Sequence, residues 1–150
     1  MKPTLSFYVS GEPKGQPRPR AFARKFGNTW QARVYDAKTA EGWKGLIAAE
    51  CRRHLPEDFT PYAGPVSLRL IFNIARPKSH FLKSGVRSGA PRWCEKKPDA
   101  DNYAKAVMDC FTQLGIWRDD SQVCELHVHK EFAISNAQGG VAVTLNELAP

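Results

Sequence analysis

Hydrophobic and polar residues alternate in four stretches of the chain, and this period of two predicts β-strands with one buried face. The first stretch covers residues 5–9, and the longest covers residues 66–74. Two further stretches lie at residues 123–132 and 141–145, and the Gly139-Gly140 pair between them predicts that they form a hairpin. We therefore expect a small mixed sheet of about four strands.

Two other stretches repeat their hydrophobic residues at the spacing of an α-helix. Residues 37–55 predict an amphipathic helix that ends before Pro56. Residues 102–114 predict a second helix, with Asp101 as its N-cap and Gly115 as the left-handed residue after its last turn. With the predicted strands, these helices indicate an α/β (α+β) fold that has two main helices on one face of the sheet.

Two irregular segments rich in Pro, Gly and basic residues separate these elements. Residues 11–36 read GEPKGQPRPRAFARKFGNTWQARVYD, which predicts a long loop with a short hairpin around Gly27-Asn28. Residues 75–97 are also basic and irregular, and we expect a mobile arm or lid there rather than a packed element. The chain has no internal repeat or low-complexity tract.

Composition adds limits on size and location. A chain of 150 residues that is 42% hydrophobic predicts a single domain over residues 1–150, which buries about 68 to 70% of the surface that its unfolded form exposes. No signal-peptide pattern and no apolar run near 18 residues is present, so a cytoplasmic location is expected. The cysteines lack zinc-site spacing and are expected to be reduced thiols: Cys51, Cys94, Cys110 and Cys124.

Charge is divided unevenly along the chain. The formal net charge is +7, yet residues 1–97 carry 19 basic and 7 acidic residues, whereas residues 98–150 carry 3 basic and 8 acidic ones. The basic part favours a nucleic-acid partner and excludes an acidic disordered activator. The side chains expected to hold phosphates are Lys14, Arg18, Arg20, Arg24, Lys25, Lys78, Lys96 and Lys97. The alternative is a solvated basic loop whose interleaved aromatics, Phe22, Phe26 and Trp30, pack on the core.

The acidic part contains the candidate chemistry. In KPDADNYAK, residues 97–105, Asp99 and Asp101 are expected on one side of an extended stretch at a helix start, with Lys105 one turn further on. WRDDSQV, residues 117–123, supplies Asp119 and Asp120. Carboxylate oxygens of this kind suit Mg²⁺, and a lysine nearby could steady a phosphate. The alternative is that these acids only cap a helix and form a turn.

Two histidines are candidate ligands of a different metal, zinc. His127 and His129 fall on the same face of a predicted strand, an arrangement that can bind zinc. No third soft ligand follows at a recognisable spacing, and no nucleophile elbow supports a serine or cysteine hydrolase. We therefore interpret both histidines as structural or surface residues.

The run KPDADNYAKAVMDCFTQLGIWRDDSQVCELHVHKEF closely resembles the D-x-D-N-x-x-K…DAL…DD-x-Q-V core of the RusA-type Holliday junction resolvases. The segment GEPKGQPRPR is similar to the proline- and base-rich N-terminal segment of phage-borne members. The resemblance spans about 35 contiguous residues, with the catalytic core at residues 97–132. Tyr103 and Cys110 stand where aliphatic or small residues are common in that family, which affects packing rather than chemistry.

The resemblance implies a RusA-like, intertwined homodimer, encoded by a bacterium or a phage. It implies a Mg²⁺-dependent endonuclease, with Mn²⁺ as a possible substitute, that resolves four-way (Holliday) DNA junctions by paired phosphodiester hydrolysis in recombination and repair. It further implies that Asp99, Asp101 and Asp120 are metal-binding catalytic carboxylates and that Lys105 is the essential lysine. The rivals are a nuclease that prefers flaps or other branched DNA, and a junction-binding protein without catalysis.

Helix geometry adds a hypothesis about the dimer. A helix over residues 102–114 is about 20 Å long and carries Asp120 away from Asp99 and Asp101. Return within one chain requires most of the roughly 17 Å reach of residues 115–119. Two antiparallel helices about a two-fold axis would instead join Asp120 of one subunit to the other aspartates of its partner. The hypothesis is therefore a composite site at the dimer interface.

Overall fold

The computed structural model describes residues 1–16, 20–35 and 40–150. Within these ranges it contains two α-helices and eight β-strands, which form one four-stranded sheet and two hairpins. The helices are α1 (Glu41–His54) and α2 (Ala100–Leu114). The strands are β1 (Leu5–Ser10), β2 (Arg20–Phe26), β3 (Thr29–Tyr35), β4 (Val66–Ile74), β5 (Phe81–Leu82), β6 (Gly85–Val86), β7 (Val123–Phe132) and β8 (Gly140–Glu147). The mixed α+β fold predicted from the sequence is confirmed.

The strands of the main sheet lie in the order β1-β8-β4-β7. β8 is antiparallel to both β1 and β4, whereas β7 runs parallel to β4. The predicted hairpin of the last two strands is therefore wrong. β8 buries Val141, Val143 and Leu145 and takes an interior place, while β7 is largely exposed, with Leu126 at 45%, and suits a sheet edge.

The core lies between one face of the sheet and the two helices. Phe7 and Leu70 both pair with Val143, and all three side chains are buried. From the helical side, the ring of Tyr103 stacks on Phe72 with the ring centroids 4.9 Å apart. The other face of the sheet consists of the alternate residues, including Ser67, Arg69, Ile71, His127, Ala142, Thr144 and Asn146. Burial of only one strand face explains the period of two in the sequence.

The helix boundaries match the expected signals in part. α1 ends at His54, directly before Leu55 and Pro56, as predicted. Gly115 follows α2 in the left-handed conformation with φ 73°, and its N–H donates to the carbonyls of Phe111 and Thr112. The predicted N-cap was wrong: α2 begins at Ala100, so Asp99 is the N-cap and Asp101 lies in the first turn.

Residues 75–97 pack against the end of β7, which contradicts the expected arm. A 3₁₀ turn at Lys78–His80 leads into the β5–β6 hairpin, and both His80 and Cys94 are buried. The N–H of Cys94 donates to the Lys130 carbonyl at 3.2 Å, and the N–H of Phe132 donates to the Arg92 carbonyl at 2.8 Å. The segment thus lies along the outer edge of β7 and bonds to its backbone without forming a regular strand.

The hairpin expected around Gly27-Asn28 is confirmed. β2 and β3 pair antiparallel, with Phe26 opposite Thr29, and Gly27 has a φ of 60° in the turn between them. The Nζ atom of Lys25 lies 5.9 Å from the ring centroid of the exposed Trp30. Two exposed groups suited to phosphate contact and base stacking therefore share one end of this hairpin.

All four cysteines are free, as predicted, and three of them are buried. Burial raises the pKa of the Cys51 thiol to about 12 and that of the Cys110 thiol to about 11. These thiols are therefore packing groups rather than nucleophiles. Neither α1 nor α2, nor any other helix of the described ranges, is long and apolar enough to cross a membrane.

Candidate active site

Two of the predicted aspartates lie at the N-terminus of α2. Asp99 has extended backbone angles, and its side chain makes no capping hydrogen bond with the helix. Its carbonyl oxygen instead accepts from the N–H groups of Asn102 (3.1 Å) and Tyr103 (3.2 Å). Asp101 lies inside the first helical turn, so the expected extended pair is wrong. Both side chains are exposed at the positive end of the helix dipole, which favours negative charge.

Lys105 connects α2 to the turn that contains Asp120. Its Nζ atom lies 2.8 Å from Oδ2 of Asp120 and 3.0 Å from Oδ1 of Asp109. Asp101, Lys105 and Asp109 follow one another at four-residue spacing, so they lie along one stripe of the helix. Asp109 was missed in the sequence analysis, although its i+4 position relative to Lys105 was a sufficient signal.

The two ion pairs determine the protonation of Lys105. Hydrogen bonds to Asp120 and then to Asp109 hold the pKa of its ammonium group well above the ordinary value, against a smaller opposing effect of desolvation. Lys105 is therefore a permanent cation near neutral pH. It can contact an anion or position a carboxylate, but it cannot accept a proton as a general base.

Asp119 and Asp120 have different roles despite being neighbours. Asp119 caps a 3₁₀ turn at Asp120–Gln122: its Oδ1 accepts from the Ser121 N–H at 2.8 Å, and the side chain of Gln122 accepts from the Asp119 N–H at 3.2 Å. The hydrogen bonds from Ser121 hold the pKa of Asp119 below its usual range. Asp119 therefore stabilises the turn, and Asp120 presents its carboxylate to Lys105.

Buried side chains bring this turn back onto α2. Trp117 lies in the core, and its Nε1–H donates to Oγ1 of Thr112 at 2.8 Å. The side-chain amide of Gln122 donates to the carbonyls of Tyr62 (2.9 Å) and Gly64 (3.0 Å). Asp120 consequently meets Lys105 of its own chain. The chain thus returns to the second turn of α2 within one subunit, and the composite site at a dimer interface stays a prediction.

A second lysine fixes the segment before Asp99. The Nζ atom of Lys130, on β7, donates to the carbonyl of Pro98 at 2.8 Å and to the carbonyl of Lys96. It also lies 5.9 Å from the ring centroid of Tyr103. The approach to Asp99 is thereby attached to the edge strand. This contact joins residues more than 30 positions apart, so no local sequence pattern could have indicated it.

The N-terminal loop docks on the same end of α2. The N–H of Gln16 donates to the Asn102 carbonyl at 2.9 Å. Gly15 lies so close to Pro98 that a Cβ atom added there would approach the Pro98 Cβ to 2.9 Å. A side chain at residue 15 would push this loop away from the helix.

The predicted phosphate-binding residues are distributed in three ways. Lys14, Lys96 and Lys97 line one cleft together with Pro98, the residue that precedes Asp99. Lys25 and Lys78 are exposed on the β2–β3 hairpin and the 3₁₀ turn, respectively. Arg18 and the side chains of Arg20 and Arg24 lie outside the described residues.

The predicted metal ligands do not form a preassembled cluster. In the described ranges, no group of three or more His, Cys, Asp and Glu side chains is placed to hold a metal ion. The donor chemistry of Asp99, Asp101 and Asp120 still suits a hard divalent cation, since all three offer carboxylate oxygens. Lys105 contacts Oδ2 of Asp120, and a carboxylate with two oxygens can accept from a lysine and bind a cation at the same time.

His127 and His129 do not form a zinc site within the described part of the chain. His127 is exposed on the sheet face away from the helices. The ring of His129 instead meets Trp93 edge to face, with the centroids 6.1 Å apart. This position accords with the interpretation of both residues as surface histidines.

Comparison with known proteins identifies the family. The family model for endodeoxyribonuclease RusA matches residues 10–146, which include every residue of the site described above. The chain is also 33% identical over 132 residues to the uncharacterised protein YqaN of Bacillus subtilis (strain 168), covering 86% of this chain and 88% of that protein. The chain therefore belongs to the RusA endodeoxyribonuclease family, whose members are nucleases that hydrolyse DNA.

Proposed function

We propose that the protein is a Mg²⁺-dependent, structure-selective endonuclease that resolves four-way DNA junctions by paired phosphodiester hydrolysis. One observation carries this proposal: Lys105 forms an ion pair with Asp120 one helical turn beyond Asp101, at the end of α2 where Asp99 is the N-cap. This arrangement accords with the family's aspartates and lysine acting together.

In this proposal Asp99, Asp101 and Asp120 hold the divalent cation, for which Mn²⁺ can substitute. A bound Mg²⁺ supplies Lewis-acid stabilisation and an activated water for attack on phosphorus. Asp109 and Asp120 together would hold Lys105 beside the site, because the lysine contacts both carboxylates. The ammonium group has three N–H donors, so it could also donate to a phosphate oxygen.

The surrounding surface supports DNA as the substrate. Lys14, Lys96 and Lys97 line a cleft with Pro98, which precedes Asp99, so a phosphate backbone held by them would pass close to the carboxylates. Lys25 and Lys78 are exposed and are proposed to add phosphate contacts, as are Arg18, Arg20 and Arg24 on the ground of the sequence. Basic residues thus provide affinity, while the acidic residues provide the chemistry.

We further propose that residues 1–150 act as one endonuclease domain and that two copies associate. Two-fold symmetry suits a four-way junction, because two sites can cut opposed strands of the same polarity. Since Asp120 meets Lys105 of its own chain, each protomer of the proposed dimer carries its own set of carboxylates.

The decisive experiment compares Asp120→Asn with Asp119→Asn. Asp120→Asn removes the charge that Lys105 contacts and is expected to lower the rate of Mg²⁺-dependent junction cleavage at least 100-fold while junction binding persists. Asn caps helices as well as Asp does, so Asp119→Asn is a matched control that should keep most of the activity.

The substrate is tested with four-way junctions, flaps and linear duplexes of the same sequence. Preferred cleavage of the junction is expected. Equal cleavage of flaps would indicate a broader nuclease activity on branched DNA rather than junction resolution. Unchanged behaviour of Asp120→Asn would support a binding protein whose acids only cap and turn.

A further inference from the structure

A cleft with a volume of about 320 Å³ lies beside the N-terminus of α2. Three separate segments form it, at residues 12–14, 74–77 and 94–98, together with Tyr103 and Phe132. This volume is at the lower end of the range for small-ligand sites, about 300 to 1,000 Å³. The cleft can therefore hold a single small group, such as one nucleotide, but not a duplex.

The inner surface of the cleft is apolar and rigid. Tyr103 and Phe132 are 4% and 6% exposed and form part of its buried lining. Three prolines, Pro13, Pro77 and Pro98, also line it. Because the φ angle of proline is fixed, these surfaces lose little conformational freedom when a ligand packs on them. Such a surface suits the flat face of a base or a sugar.

The charged residues of the cleft select for an anion. Among the described residues that line it, Lys14, Lys96 and Lys97 are basic and Glu12 alone is acidic, and Glu12 pairs with Lys14 at 3.3 Å. Lys96 and Lys97 are exposed. Their backbone is held in place, since Lys130 binds the carbonyls of Lys96 and Pro98. The cleft thus combines an apolar pocket with a net positive charge.

We propose that this cleft receives one unpaired nucleotide of the bound DNA strand, with its base and sugar against the prolines and its phosphate toward the lysines. The inference rests on the proposed function, and it adds how the enzyme engages an opened junction. Pro98 belongs to the cleft and Asp99 follows it directly, so the phosphate next to the extruded nucleotide lies near the carboxylates. Extrusion costs least where base pairs are already disrupted, which favours a branch point over continuous duplex.

The first test fills the cleft. Ala75 lines the cleft and is exposed, whereas Ala49 is exposed on α1 and does not contribute to the cleft. Ala75→Trp is expected to lower junction cleavage at least tenfold, and Ala49→Trp is expected to leave it unchanged. The thermal transitions of both variants are measured to confirm that they fold.

A fluorescent base reports extrusion directly. Junctions carry 2-aminopurine at successive positions around the branch point, and a base that leaves the stack becomes brighter. Wild-type protein should raise the fluorescence at one or two positions, and Ala75→Trp should abolish this rise. An abasic site at the same position should remove most of the difference in junction cleavage between wild type and Ala75→Trp.

A charge variant provides a second route that does not depend on the bulky substitution. The double substitution of Lys14→Gln and Lys97→Gln should weaken binding of the branched DNA about tenfold and reduce its salt dependence. Lys83→Gln, an exposed lysine between β5 and β6, is the matched control and should have no effect. Unchanged binding by the double variant would count against the phosphate contact.

The two proposals fail in distinguishable ways. Junction cleavage without a 2-aminopurine signal at any position, or with Ala75→Trp as active as wild type, overturns the nucleotide cleft and leaves the nuclease intact. A fluorescence rise that Ala75→Trp abolishes, with no cleavage of any branched DNA, supports the cleft and overturns the proposed catalysis.

Discussion

At the scale of single residues, neighbouring groups of the same type differ by their hydrogen bonds. The carboxylate of Asp119 accepts a hydrogen bond from the Ser121 N–H, whereas the carboxylate of Asp120 accepts one from Lys105. The family resemblance assigned the metal to Asp120 and not to Asp119, but the capping role of Asp119 could not be predicted, because it depends on the direction of its side chain in the 3₁₀ turn. Asp109 is a different case, because its i+4 contact with Lys105 is local and could have been predicted.

A residue-scale prediction concerns His80. Burial, followed by the positive charges of Arg76, Arg87 and Lys96, lowers the pKa of this histidine. In the unfolded chain the group takes up a proton near its ordinary pKa of about 6.5. Stability is therefore unaffected above that pH and falls as the pH drops below it, because the unfolded state then binds more protons.

Urea denaturation between pH 7.5 and 5 measures this effect. His80→Gln should flatten the decline of the unfolding midpoint with falling pH, while the exposed His127→Gln should reproduce the wild-type curve. The lowered pKa of Asp119 contributes only at a pH below about 4, so the two effects occupy different ranges. An equally steep curve for His80→Gln would contradict the assignment.

At the scale of elements, periodicity predicted the strands and helices but not their arrangement. The four sheet strands and both helices lie where the hydrophobic pattern indicated, although β7 at the sheet edge buries less of its apolar face than the other strands do. The order β1-β8-β4-β7 depends on pairings across more than 50 residues, which glycines in a connecting loop do not specify. Residues 75–97 looked irregular for the same reason, since their partners lie at the end of β7.

An element-scale prediction concerns the attachment of this segment to β7. Lys130→Met removes the donations to the carbonyls of Lys96 and Pro98 and should cost about 1 to 3 kcal/mol of stability. Because Asp99 follows Pro98, the variant should also need several-fold more Mg²⁺ for half-maximal cleavage. Lys130→Arg should recover part of both losses.

Lys83→Met is the matched control for Lys130→Met, because Lys83 is exposed in the turn between β5 and β6. It should change neither the stability nor the Mg²⁺ requirement. If Lys130→Met lowers stability without changing the Mg²⁺ requirement, Lys130 supports the fold and does not position Asp99.

At the scale of the whole molecule, the division of charge along the chain becomes a spatial one. The basic residues 14, 96 and 97 come from distant parts of the sequence and meet beside the acidic N-terminus of α2. The net charge indicated a nucleic-acid partner but pointed to the loops. The fold adds that the cationic surface and the carboxylates are adjacent.

A prediction at this scale tests whether each proposed protomer is self-sufficient. An Asp99→Asn chain is mixed with an Asp120→Asn chain and allowed to exchange subunits. If the carboxylates act within one chain, as the Lys105–Asp120 pair suggests, every protomer lacks one group and junction nicking stays absent. Recovered nicking would support a composite site at the dimer interface. Mixing wild type with either variant controls for subunit exchange.

The position of β8 has a consequence for how the chain is made. β8 joins β1 to β4, so Leu5 can meet its partner Leu145 only after all the residues between them have been made. Until then, the backbone groups of β1 and of one edge of β4 lack their partners in the sheet. Such long-range closure slows folding, and it makes completion of the sheet depend on β8.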